Sequence, residues 1–205
     1  MCWANAALLN IAQGDSGNNL FLVVKRYRQL ANASSKKIQL EFSLYTELLT
    51  AFYISGRHKL YFVAGMRSTI IALQHGTTKG ACFTLNTVCN YFHLQKDYSL
   101  AEKYQRLVLE LAAEQPYEFS TIRAITQALW VTMHHNQTVS ELQILCRSNI
   151  KNGLRAGELN YTGLTYMPLI WYQLTMGADI GKLQNLIQEG IAHCEQFSIA
   201  SPLEV

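Results

Sequence analysis

Charge is what this chain has least of. Aspartate, glutamate, lysine and arginine make up 15% of its 205 residues, against about 25% in an ordinary soluble domain. With 49% hydrophobic residues, the chain carries more apolar surface than its own core should take up. It therefore reads as a piece of a larger protein, or as a subunit that self-associates. The formal charge of +3 is too small to imply a nucleic-acid partner. The charge is uneven, however. Residues 1–40 carry Lys25, Arg26, Arg28, Lys36 and Lys37 against Asp15, and the remainder is close to neutral. A basic cluster of this kind suits either a solvated helix face or an acidic partner.

Long apolar runs are also lacking. None approaches the ~18 residues that a membrane span needs, and the start MCWANAALLNIAQGD has no secretory-leader pattern. No membrane partner is expected. The five cysteines, Cys2, Cys82, Cys89, Cys146 and Cys194, are odd in number and scattered. That pattern suits reduced thiols and a cytoplasmic location. The sequons at Asn32, Asn136 and Asn160 are then chance matches.

Proline is scarce, at Pro116, Pro168 and Pro202, and clean period-two alternation is missing throughout. What is present is the helical period. Leu100, Tyr104, Leu107, Val108 and Leu111 form one apolar stripe; Leu183, Leu186, Ile187, Ile191 and Cys194 form another. The chain is expected to be all-α. Breaks fall in two interleaved series. One runs Gly14-Asp15, Gly56-Arg57, Lys96-Asp97, Asn136-Gln137 and Gly177-Ala178; the other runs Ser34-Ser35, Gly76-Thr77, Pro116 and Gly157. Both recur about every forty residues. They describe an α-solenoid of about five helix–turn–helix units, near 1–34, 35–76, 77–116, 117–156 and 157–198.

Local chemistry agrees with these breaks. Gly14, Gly56, Gly76 and Gly177 suit helix C-termini, where the chain enters left-handed space. Asp15, Thr77, Asp97, Thr138 and Asp179 suit N-caps, and Thr138-Val139-Ser140-Glu141 has capping-box spacing. Pro168, inside the helix expected over 158–176, should kink or break it.

Chemistry-bearing motifs are wanting. GTTKG, at residues 76–80, lacks the spacing that wraps a phosphate; it reads as a helix end and a helix start. Cys82, Cys89 and His93 share a face but lack a fourth ligand, so they read as core stripe. His134-His135 reads as a helix end and Glu110, Glu114 and Glu118 as a surface ridge. His193 and Cys194 are neighbours on a helix and point apart, so they form no dyad. Trp130, Trp171 and Tyr172 read as core anchors. No catalytic residue, cofactor or metal is expected, and the segment reads as non-enzymatic.

Two resemblances follow from particular residues. Asp97-Tyr98-x-x-Ala101 resembles the tetratricopeptide pattern, with longer helices than that repeat. Gly153 to Gly177, GLRAGELNYTGLTYMPLIWYQLTMG, is similar to the helical-repeat region of very large bacterial signalling proteins. Those proteins join a protein-kinase-like domain, an AAA-type ATPase, this helical array, a GAF sensor and often a histidine kinase. The likeness extends over most of residues 35–198. It implies a non-catalytic, regulatory protein–protein interaction module inside a signal-transduction ATPase or kinase. An effector-sensing helical domain of an ATPase-linked regulator is the alternative, with an aromatic pocket near Pro168, Tyr161, Tyr166 and Trp171. Partners are expected to be flanking domains or a separate protein.

In such arrays the first helix of each unit usually lines the concave, binding face. Those helices are expected near 2–13, 35–55, 77–95, 117–135 and 158–176. Their polar residues Asn86, Asn90 and His93, then Arg123, Gln127 and His134, with Tyr45 and Tyr161, are the candidate interaction face.

Overall fold

A computed structural model of the chain describes residues 35–76 and 78–199. The expected unit 1–34, with Gly14 and Asp15, lies outside the described residues, as does Thr77. Among the described residues the chain is all-helical and contains no strand. Eight α-helices follow one another: α1 (Lys36–Ile54), α2 (His58–His75), α3 (Ala81–Leu94), α4 (Tyr98–Glu114), α5 (Phe119–Val131), α6 (Val139–Ala156), α7 (Leu159–Thr175) and α8 (Ile180–Gln196). A single 3₁₀ turn, Met133–His135, separates α5 from α6. The chain divides into two compact units, Met1–Ala112 and Ala113–Val205.

Helices pair because their connections are short and closed in the same way. After α1, Arg57 N–H reaches Phe52 C=O at 2.9 Å and Gly56 N–H reaches Tyr53 C=O at 3.1 Å. The same two bonds recur after α3 (Asp97 to Phe92, Lys96 to His93) and after α7 (Ala178 to Gln173, Gly177 to Leu174). This is the Schellman closure, which needs a residue at positive φ. Gly56 and Gly177 supply it at 68°, and Lys96 adopts 63° at the cost of a crowded Cβ. At the remaining hairpin the 3₁₀ turn takes over. There Asn136 and Gln137 both donate to Met133 C=O, and the expected capping box of Thr138 and Glu141 starts α6. Asp97 and Asp179 cap α4 and α8 by accepting from Leu100 N–H and from Gly181 and Lys182 N–H. As a result α2, α4, α6 and α8 begin 40, 41 and 41 residues apart.

The first helices are less regular. α3 begins at Ala81, four residues later than a start at Thr77 would place it. Thr78 holds the chain in a turn there, accepting Gly80 N–H on its hydroxyl and Ala81 N–H on its carbonyl. α7 runs unbroken through the buried Pro168, so no break occurs where the ring removes a backbone donor.

In the first unit the core is built from Phe42, Leu49, Tyr61, Leu73, Phe83, Leu85, Tyr104 and Leu107. Cys82 and Cys89 lie inside it and donate their thiols to the carbonyls of Val108 and Ala101 on α4. In the second unit Ile122, Leu129, Met133, Leu142, Cys146 and Leu169 fill the centre. Both cores hold many threonines. Thr46, Thr69, Thr87, Thr126, Thr162 and Thr165 each donate back to the carbonyl four residues earlier, so their hydroxyls are satisfied on their own helix before packing. Trp130 and Trp171, expected as core anchors, are instead exposed. Their helices bury smaller residues in their place, Leu129 beside Trp130 and Leu169 two positions before Trp171.

Candidate functional site

The eight face residues fall into distinct settings. In the first unit, Tyr45 on α1 is half-buried. Asn86 and Asn90 on α3 are buried, at 0% and 3% exposure, so neither offers its amide to water. Asn90 donates its Nδ2 to the hydroxyl of Tyr61 on α2 at 3.1 Å. One turn on, His93 is half-buried and meets the ring of Tyr98 edge-on. Thus the α3 residues expected on a solvated face mostly serve the packing of α3.

In the second unit the picture is sharper. Arg123 on α5 sends Nε and Nη2 to the same oxygen of Glu158, each at 3.2 Å. Glu158 stands just ahead of α7 and uses its other oxygen to accept Tyr161 N–H, so it is cap and counter-ion at once. The guanidinium also lies 5.5 Å from the centre of the Tyr161 ring. Gln127, one turn further along α5, is buried, and His134 in the 3₁₀ turn is exposed and lies against His135. The structure therefore joins Arg123 to Tyr161 through a carboxylate.

Beneath this pair lies a second polar junction. Asn149 on α6 donates Nδ2 toward Thr126 Oγ1 at 3.0 Å, Thr165 Oγ1 at 3.1 Å and Ile122 C=O at 3.3 Å. The two threonine hydroxyls are 2.8 Å apart. One amide thereby ties α5, α6 and α7 in a buried interior. The junction does not show in the helical period, because an asparagine on a buried stripe looks like a defect until its partners arrive.

The aromatic residues near Pro168 are engaged separately. Tyr161 sits under Arg123, Tyr166 donates its hydroxyl to Glu189 on α8, and Trp171 is exposed. Tyr172 donates its hydroxyl across to Leu129 C=O on α5. The Nε2 of His193 lies 3.1 Å from Leu159 C=O, and the His193 ring and the Cys194 thiol both lie near Gly163. No described helix is long and apolar enough to cross a membrane.

Comparison of the chain with protein-family models, with curated proteins and with solved structures gave no match.

Proposed function

We propose that the chain is a non-catalytic interaction module built as a solenoid of roughly forty-residue helical hairpins. The observation that supports this is the recurrence of one hairpin closure. Identical Schellman bonds close α1, α3 and α7, and second helices begin 40 or 41 residues apart. A chain that repeats its turn chemistry at a fixed interval repeats a supersecondary unit, and stacked units of this kind present a continuous surface for partners.

In this reading the first helices carry the binding face. Tyr45, His93 and Arg123 retain exposed atoms there and His134 does so in the turn after α5, while Asn86, Asn90, Gln127 and Tyr161 hold the helices in place behind them. Such a module would serve as the regulatory middle of a signal-transduction ATPase or kinase, passing a partner's state along the stack by small angular changes.

Site-specific photo-cross-linking tests the face. The cross-linker would be placed at Tyr45 on α1 and at His134 in the 3₁₀ turn that follows α5, and at Lys103 and Gln188 on second helices. Protein adducts formed in the source extract should come from the first pair. Adducts from the second pair alone would assign the binding face to the other side.

A further inference from the structure

The exposed side of α6 carries a feature that neither the hairpin packing nor the proposed first-helix face uses. Arg147, Lys151 and Arg155 lie at i, i+4 and i+8, and all three are exposed. At 1.5 Å per residue they form a ridge of cations about 6 Å apart and about 12 Å long. The same helix face exposes Ile144 at 70% and Leu154 at 45%. The one carboxylate of α6, Glu141 at its start, is engaged with Thr138 in the capping box. The buried residues of α6, Leu142, Cys146, Asn149, Ile150 and Gly153, all lie on the opposite side.

Among the described residues none of the three cations forms an ion pair. Arg155 donates Nη1 to the hydroxyl of the exposed Tyr117 at 3.2 Å and lies 6.0 Å from its ring centre. The Arg147 charge opposes the rise that burial and Glu189 give the Tyr166 hydroxyl. Like charges one turn apart repel and weaken a helix. A chain with so few charges has nonetheless placed three of one sign in a row, between two apolar side chains and beside a tyrosine. Arginine and tyrosine flanked by aliphatic contacts are the composition of an interface anchor.

We propose that this face of α6 docks an acidic peptide segment, with carboxylates against Arg147, Lys151 and Arg155 and apolar side chains against Ile144, Leu154 and Tyr117. The spacing suits a partner helix with acids at i, i+4 and i+8. It also suits an extended acidic strand, whose alternate side chains lie about 6.6–6.8 Å apart. Three cations are few for a membrane surface, where each adds only a small increment of attraction. They also neutralise too few phosphates for firm nucleic-acid binding. The proposal uses none of Tyr45, His93, Arg123 and His134, so either can fail without the other.

Fluorescence anisotropy on the full chain decides the matter. The probe is a labelled synthetic helix with Glu at i, i+4 and i+8 flanked by Leu; its control has Gln in place of Glu. The Glu probe should bind about tenfold more tightly at low salt and lose that advantage as salt rises. The R147E/K151E/R155E variant should abolish the preference, and K103E, elsewhere on the surface, should not. Equal binding of the two probes overturns the proposal, as does a preference that survives the triple reversal. Tighter binding of phosphatidylserine vesicles or of single-stranded DNA than of the Glu probe also overturns it. Should the triple variant misfold by circular dichroism, K151E alone, at the centre of the ridge, takes its place under the same criterion.

Discussion

Arg123 and Glu158, thirty-five residues apart, meet through two nitrogens on one carboxylate oxygen, with side-chain exposures of only 12% and 4%. Removing the cation leaves a buried carboxylate without its counter-charge. We expect Arg123→Ala to destabilise the second unit by about 2–4 kcal/mol, more than Glu158→Gln, which keeps a cap acceptor. Urea denaturation of both variants and of the double variant gives the coupling. A coupling near zero would mean that the pair holds nothing.

Asn149 is the shared donor of α5, α6 and α7. Asn149→Ala should cost about 2 kcal/mol or more, because it strips a partner from two buried hydroxyls. Those hydroxyls keep their bonds to their own helices, so the loss should fall well short of complete unfolding. Thermal melting of this variant beside Thr165→Val tests the point: both should fall, and their effects should not add.

Gly153 opens the stretch GLRAGELNY and sits on α6 where a Cβ would lie 1.9 Å from Thr162 Oγ1 and 3.2 Å from Ile122 Cγ2. Gly153→Ala should therefore lower stability by about 1–3 kcal/mol. Thr162→Ala in the same chain removes the closest atom and should recover part of the loss. If Gly153→Ala melts like the parent, α6 and α7 do not approach this closely.

Lys96 holds a left-handed conformation that Gly56 and Gly177 hold at equivalent turns. Lys96→Gly should stabilise by about 0.5–1 kcal/mol, since the Cβ strain disappears and an exposed side chain is all that is lost. Gly56→Ala should destabilise by about 1 kcal/mol although nothing lies within 4 Å of the added Cβ. Opposite signs in paired chemical denaturation experiments are the expected result.

Burial pushes the Cys146 thiol up to about 12 from 9.0, and the hydroxyls of Tyr166 and Tyr172 up to about 12 from 10.0. For Tyr166 the neighbouring carboxylate of Glu189 adds to the rise. In each case folding favours the protonated form, and the unfolded chain ionises first. Their contribution is complete below pH 9 and is lost as pH climbs from there to about 12. The urea midpoint should fall steadily across that window. Cys146 should resist thiol reagents at a pH of about 8 until the chain is unfolded.

Helix positions and turn chemistry were legible in the sequence because they are local. A 3.6 period, a glycine at positive φ, an aspartate cap and a Thr-x-x-Glu box each act within a few residues, and Gly56, Gly177, Asp97, Asp179 and Thr138 all stand where those rules put them. The start of α3 escaped because Thr78 offered a turn that competed with the helix. Which polar residues face water was not local at all. Asn86, Asn90 and Gln127 share the spacing of a solvated face, yet they are buried, while Trp130 and Trp171 are large enough for a core and lie outside it. A side chain's burial depends on what the neighbouring helix presents, and that is set by packing between residues tens of positions apart. The same holds for Glu158, whose partner Arg123 lies on another helix, and for Asn149, whose place in the interior exists only once Thr126 and Thr165 are brought to it.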